Sequence, residues 1–346
     1  MRVLVRAAAA VAALGLAAGG IVPASAGPAG PAGRAGAAVP CPSRSGPGAY
    51  PNPLHECPAA DPGIVVRGNT WYAFTTGLKQ YRSRDAGHTW EDLGRFVEPP
   101  AGYVDFWAPE VYEIDGKWVA YFNMRTAPGQ FNKIYVATSD DLESGWVLDP
   151  TPIAGEPDYS LIDASMFLDR DGTRYLIWKD DIQGTLTKRI SIGKLSPDGL
   201  TRVGPATQIM HVTLPWEGNS VEGPTMIYRP EHGLYYLFYS GNLYTWNGNY
   251  AVGVGRATSP TGNFDAGKHR EPILRGDDRV ASPGHQFVAD VRIGGQQRQM
   301  LFYHGYPWYD ADGNQLPSVQ TRKLMMDELH WDAEGWPWVY DGTPSD

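Results

Sequence analysis

Charge is scarce in this 346-residue chain: Asp, Glu, Lys and Arg together make up 19% of it. Disordered chains are charge-rich and aromatic-poor. Here aromatics reach 12% and apolar residues 42%, so disorder is excluded and there is material for one large domain or two ordinary ones. Basic residues are also in deficit. Lys and Arg number 29 against 38 acids, a net charge of -9, which excludes a protein that works by neutralising nucleic-acid phosphates. Unbroken stretches are missing as well. With 41 Gly and 29 Pro scattered without period, few windows of about fifteen residues lack a breaker, which rules out long helices and collagen alike. An all-β chain with many tight turns remains.

Long apolar runs are limited to one. Arg2 and Arg6 precede the run Ala7–Val22, and Ala24-Ser25-Ala26 then offers a small-x-small cleavage site, the pattern of a secretory signal. The expected organisation is a signal peptide over 1–26, a Gly/Ala/Pro-rich flexible leader over 27–50 and a folded domain over 51–346. Secretion is therefore expected, and no other stretch approaches the roughly 18 apolar residues of a membrane span. Cysteine is limited to Cys41 and Cys57. Export permits a disulfide, and two partners allow one intramolecular pairing, with two free thiols as the alternative.

What the chain does contain is a repeat. Five times a short strand runs into a Gly-containing turn and then into a strand dense in aromatic and β-branched residues. The copies open at Asp61-Pro62-Gly63, Ala108-Pro109-Glu110, Asp163-Ala164-Ser165, Glu222-Gly223-Pro224 and His285-Gln286-Phe287. Their turns fall at Gly68-Asn69, Asp115-Gly116, Asp171-Gly172, His232-Gly233 and Gly294-Gly295, where tight hairpins need positive φ. The openings lie 47 to 63 residues apart, the length of a four-stranded propeller blade with its loops. Five blades take about 250–300 residues. The expected fold is a single all-β, five-bladed β-propeller. Ser83-Arg84-Asp85-Ala86-Gly87-His88-Thr89-Trp90 reads as an Asp-box, a structural turn whose carboxylate caps backbone N–H groups while its Trp packs between blades.

The innermost strand of each propeller blade lines the axis, and its first residues reach one mouth of the funnel. Asp61, Asp163 and Glu222 open three of the five copies at what reads as one phase, so three carboxylates are expected to converge with His285. Isolated acids would instead be solvated or cap turns at varied phases. Converging carboxylates bind a cation or run acid–base chemistry. With aromatics around the mouth, glycoside hydrolysis is the natural chemistry. It needs one carboxyl protonated and one ionised, and a third carboxylate nearby raises the pKa of the acid.

Asp61-Pro62 with Trp71-Tyr72 after it, Trp107-Ala108-Pro109-Glu110, Asp163-Ala164-Ser165-Met166-Phe167 with Asp171-Gly172, Val221-Glu222-Gly223-Pro224, Gly284-His285 and the closing Leu329-His330-Trp331 to Trp336-Pro337 together resemble glycoside hydrolase family 43. The likeness covers nearly all of the chain after the leader. It implies an inverting O-glycosyl hydrolase on a five-bladed propeller, acting on arabinose- or xylose-containing plant polysaccharides. It implies Asp61 as general base, Glu222 as general acid and Asp163 as the residue that tunes and orients that acid. Inversion asks for Asp61 and Glu222 to stand about 6.5–9.5 Å apart. The likeness also implies that His285 sits on the axis beside a structural Ca2+ or other cation, often through water. A hydrogen-bonded core His, a role His304 could share, is the alternative. No organic cofactor is expected.

Phe106, Trp107 and Arg322 are the expected substrate-binding residues. Phe106 and Trp107 precede the second inner strand, with Trp107 as the platform on which a sugar ring stacks. Arg322 would donate to a sugar hydroxyl, with surface pairing as its alternative. Trp71, Trp90, Trp118 and Trp331 are expected between blades. Trp178, Trp216, Tyr244, Trp246, Tyr306 and Trp308 are unranked candidates for outer subsites. An exo-acting α-L-arabinofuranosidase or β-xylosidase is the leading expectation and an endo-1,5-α-L-arabinanase the alternative. A propeller that binds glycans without cleaving them is the alternative of another class. A sialidase would need six blades, several Asp-boxes and an arginine cluster. Carbohydrate is the expected partner, with no nucleic acid, no membrane and a monomeric chain.

Overall fold

Asp115-Gly116 and Gly294-Gly295 each place two successive residues at positive φ (50° and 81°, 58° and 81°), the backbone that closes a two-residue hairpin without splaying its strands. Such hairpins recur through the chain, and the architecture is a five-bladed β-propeller, seen here in a computed structural model that describes residues 38–42, 50–126, 129–182, 188–309, 314–316 and 321–345. Blade 1 comprises Gly63–Arg67, Thr70–Thr75, Lys79–Ser83 and Trp90–Arg95; blade 2 Val104–Ile114, Lys117–Arg125, Lys133–Ser139 and Val147–Leu148. Blade 3 comprises Ser160–Leu168, Arg174–Asp181, Arg189–Leu195 and Arg202–His211; blade 4 Val221–Arg229, Leu234–Gly241, Ala251–Ala257 and Leu274–Arg275. Blade 5 comprises Val280–Ile293, Gln296–Pro307 and Lys323–Glu328, and a short hairpin of His330–Trp331 with Pro337–Trp338 follows. Pairing within every blade is antiparallel.

Alternating side chains of each strand face opposite neighbours, so the apolar material collects between blades. Phe74, Phe96 and Phe122 fill the space between blades 1 and 2; Tyr121, Leu176 and Trp178 that between 2 and 3; Ile177, Tyr239 and Phe264 that between 3 and 4; Tyr236, Phe238 and Tyr303 that between 4 and 5. Trp71, Trp90 and Phe302 pack between blades 5 and 1. The Asp-box behaves as expected. Asp85 Oδ1 accepts the Thr89 N–H at 2.8 Å, and Trp90, 1% exposed, donates to the Gly87 carbonyl.

Ring closure uses a segment that shows no strand pattern. Leu54 N–H donates to the Leu324 carbonyl and Ala59 N–H to the Arg322 carbonyl, both at 2.8 Å, so residues 52–59 run along the third strand of blade 5. Val39–Cys41 pairs with Trp90–Arg95 as an added edge of blade 1. Cys41 and Cys57 form a disulfide that joins these two attachments, and a loop of 16 residues closed in this way stabilises the fold by about 3 kcal/mol. This corrects the expected leader. Residues 1–26 and most of 27–50 lie outside the described residues, but residues 39–41 within that span form an anchored strand, because pairing and the disulfide supply what their composition lacks. Among the described residues no helix is long and apolar enough to cross a membrane.

Candidate active site

The five inner strands bend at one shared position. Asp61, Ala108, Asp163, Gly223 and His285 all adopt positive φ, between 47° and 58°. Pairing shifts register beside this bend in blades 2 to 5. An L-residue in this region costs about 1–2 kcal/mol. Four of the five residues carry side chains, so the surroundings hold a backbone that would otherwise relax. The bend also corrects the expected phase. Gly223, not Glu222, is the counterpart of Asp61 and Asp163. A Cβ at Gly223 would lie 3.3 Å from the His285 Cα and ring, a tight approach that favours glycine there. The blade-4 acid therefore sits one residue earlier.

Asp61, Trp107, Asp163, Glu222, His285 and Arg322 nevertheless line one cavity of about 340 Å3. The three acids are 8–9% exposed, and Trp107 is 37% exposed at the mouth. Phe106 is the exception among the expected residues. It packs against the core between blades 1 and 2, because neighbouring residues on a strand face opposite ways and Trp107 takes the cavity side.

Asp61 is paired with Arg322 and faces two imidazoles. Its Oδ1 lies 2.6 Å from Arg322 Nη1, 3.3 Å from His304 Nδ1 and 3.4 Å from His285 Nδ1, and its Oδ2 accepts the Thr76 hydroxyl. Burial pushes this carboxyl up, but the Arg322 guanidinium above all holds it well below the usual carboxylate range. Arg322 thus lines the cavity with its guanidinium turned to Asp61 and stacked over Tyr244 at 4.9 Å. His304 Nδ1 accepts the Asp61 backbone N–H at 3.2 Å, which leaves the ring proton on Nε2, and burial and Arg322 lower its pKa to about 4.

The acids of blades 3 and 4 are tuned against the expected direction. Burial and the charge of Glu222 push Asp163 up to about 6, despite His285 and Lys179. Burial pushes Glu222 up too, but the Lys179 ammonium at 2.5 Å and the Tyr250 hydroxyl at 2.7 Å bring it down to about 2. The raised pKa expected for Glu222 is therefore found on Asp163. The cause is Lys179, which sequence reasoning passed over; its one signal was a cation ending the apolar run Tyr175–Trp178. The two acids are joined through the backbone, since Gly223 N–H donates to Asp163 Oδ2 at 3.1 Å. Glu110, also passed over, is buried near His285 and Asp163, bonded to Tyr112, and pushed up to about 7 by burial.

An axial Ca2+ needs six to eight oxygen ligands. Among the described residues no three carboxylate or imidazole ligand atoms meet within 4.8 Å on the axis. His285 and His304 turn Nδ1 towards Asp61, and His304 Nε2 is buried without a hydrogen-bond partner among the described residues. This donor set of imidazoles does not fit a calcium ion ligated directly by the protein, and no step below passes through one.

A second cavity of about 630 Å3 adjoins the first and shares Asn242 with it. Trp216, Trp246 and Trp308 line it, the last two edge to face at 5.5 Å. Tyr244 lines the catalytic cavity, whereas Trp178 is buried between blades 2 and 3. Of these candidates, Trp216, Trp246 and Trp308 face the second cavity, Tyr244 faces the first, and Trp178 belongs to a blade strand.

Comparisons with known proteins agree with this geometry. The chain is 26% identical over 304 residues to the extracellular endo-α-(1→5)-L-arabinanase 1 of Bacillus subtilis, covering 80% of this chain and 86% of that protein. It is 27% identical over 317 residues to the extracellular exo-α-(1→5)-L-arabinofuranosidase of Streptomyces avermitilis, covering 83% of this chain and 62% of that protein. The crystal structure of a thermostable family-43 glycoside hydrolase superposes with a TM-score of 0.72 at 26% identity, over 86% of this chain and 97% of that one. The family model of glycosyl hydrolases family 43 matches residues 50–337, which take in every blade and every acid of the cavity, and the chain is therefore a glycosidase belonging to that family.

Proposed function

We propose that this enzyme is a secreted, inverting, exo-acting glycosidase that releases L-arabinofuranosyl units from arabinose-containing polysaccharides. The observation that carries the reading is the convergence of three buried carboxylates, Asp61, Asp163 and Glu222, in one cavity. Asp61, kept ionised by Arg322, is suited to take a proton from the attacking water. Glu222 is suited to protonate the leaving oxygen, and Asp163 lies close enough to bias its charge. Glu222 is ionised in the free enzyme, so it has to gain its proton when substrate binds. The curated relatives, named as extracellular enzymes of arabinan breakdown, support the substrate class and export.

The confined cavity of about 340 Å3 favours a single terminal sugar. One observation favours the endo reading: the adjoining hollow of about 630 Å3 offers room for further units of a chain. Early products on debranched arabinan decide. Free arabinose alone supports the exo reading, and a ladder of oligosaccharides rejects it. Loss of hydrolysis in Glu222→Gln separates either enzyme from a glycan-binding propeller.

A further inference from the structure

Glu222 accepts three donors: the Lys179 ammonium at 2.5 Å and the Ser220 hydroxyl at 3.1 Å on Oε2, and the Tyr250 hydroxyl at 2.7 Å on Oε1. Every one of these bonds favours the carboxylate over the carboxyl. A group held in this way is a poor proton donor, and to act as an acid it must shed a donor. Tyr250 is fixed, 1% exposed with its ring stacked on His304. Ser220 already makes the longest bond. Lys179 has a second acid within reach, since Nζ lies 3.3 Å from Asp181 Oδ1. Asp181 is also paired at 3.2 Å with Lys188, whose side chain is 23% exposed against 4% for Lys179, so water can take over the Lys188 ammonium. The other titratable groups facing Glu222 are Asp163, whose charge opposes that of Glu222, and the His285 imidazole.

We propose that Lys179 is a shuttling counter-ion that holds Glu222 in the free enzyme and passes to Asp181 when substrate fills the cavity, freeing Glu222 to be protonated. The proposal rests on Glu222 being the general acid. The protons balance. Glu222 takes one from solvent as Lys179 leaves and gives it to the glycosidic oxygen as that C–O bond breaks. Asp61 takes one from the attacking water as the new C–O bond forms and returns it to solvent. Lys179 is thus a positioning residue that acts through Glu222.

The test compares the pH dependence of kcat and kcat/KM for wild type, Lys179→Met and Asp181→Asn, on an aryl α-L-arabinofuranoside with a poor leaving group. kcat/KM reports the free enzyme and kcat the substrate complex. In wild type the alkaline limb of kcat is expected about one pH unit or more above that of kcat/KM. Lys179→Met closes this gap by raising the kcat/KM limb. Asp181→Asn, at a less buried site, closes it from the other side by lowering the kcat limb, with a loss of about tenfold in kcat at neutral pH. Coincident limbs in wild type overturn the shuttle, and so do variants that lose rate equally at every pH with the gap intact. Glu222→Gln on a dinitrophenyl glycoside, whose leaving group needs no proton, tests the premise separately. If that variant loses both substrates alike, the reading of Glu222 as acid fails. If it spares the activated substrate while the gap is absent, only the shuttle fails.

Discussion

Arg322 Nη1 stands 2.6 Å from Asp61 Oδ1, a contact between residues 261 positions apart that ties the last blade to the opening of the first. It stores the charge that a water-activating base requires. It also explains why Asp61 tolerates burial at 8% exposure, since an unpaired carboxylate there would take up a proton instead.

Replacing Arg322 by Met therefore raises the pKa of Asp61. Asp61 works ionised, so the acid limb of kcat/KM moves to higher pH, by about 1–3 units for loss of an arginine partner. A pH–rate profile checks this. A limb that stays in place would mean that Arg322 serves the substrate alone.

Trp107 and Phe106 are adjacent and face opposite ways, so their losses differ in kind. Trp107→Ala should raise KM about tenfold and leave the melting temperature near that of wild type, as expected for a lost stacking surface of about 1–1.5 kcal/mol. Phe106→Ala should lower stability by about 2–3 kcal/mol and leave KM near wild type. Paired kinetics and thermal melts distinguish the two, and similar effects on both would contradict the assigned faces.

The fold was legible because its signals are local. Turns such as Asp115-Gly116 and the strands that follow them repeat at blade length, and strand alternation needs no distant partner to be seen. Convergence of Asp61, Asp163 and Glu222 followed from that repeat. What escaped depends on contacts between blades. The one-residue offset at Glu222 goes with a close approach between blades, since a Cβ at Gly223 would come within 3.3 Å of His285, a neighbour no local pattern reveals. Lys179 lies 43 residues from the carboxylate it holds. Closure of blade 5 by residues 52–59 uses backbone groups and the single Asn52 side chain, which pairs with the Met326 backbone, and these leave no repeating pattern.

Glu110 gives a stability test. Its carboxyl is raised from 4.5 to about 7 by burial, so its folded form binds a proton more tightly than its unfolded form. The stability this contributes is present in full below about 4.5 and is lost as pH rises through about 7. Glu110→Gln should flatten the fall in melting temperature between about pH 5 and 8, removing a pH-dependent loss on the order of 3 kcal/mol. An unchanged slope would contradict a raised Glu110.

The disulfide clasps the two N-terminal attachments to blades 1 and 5. Cys41→Ser with Cys57→Ser should cost about 3 kcal/mol in chemical denaturation. The pH–rate profile should keep its shape, because neither cysteine lines the catalytic cavity. A changed profile would mean that closure of the ring sets the geometry of Asp61.

The central claim is that Asp61 and Glu222 act on opposite faces of one sugar in a single displacement. Proton NMR of the sugar released in the first minutes of hydrolysis tests it most directly. The account predicts that the first anomer to appear has the configuration opposite to that of the bond cleaved, with the other growing in by mutarotation. First appearance of the retained anomer would contradict it.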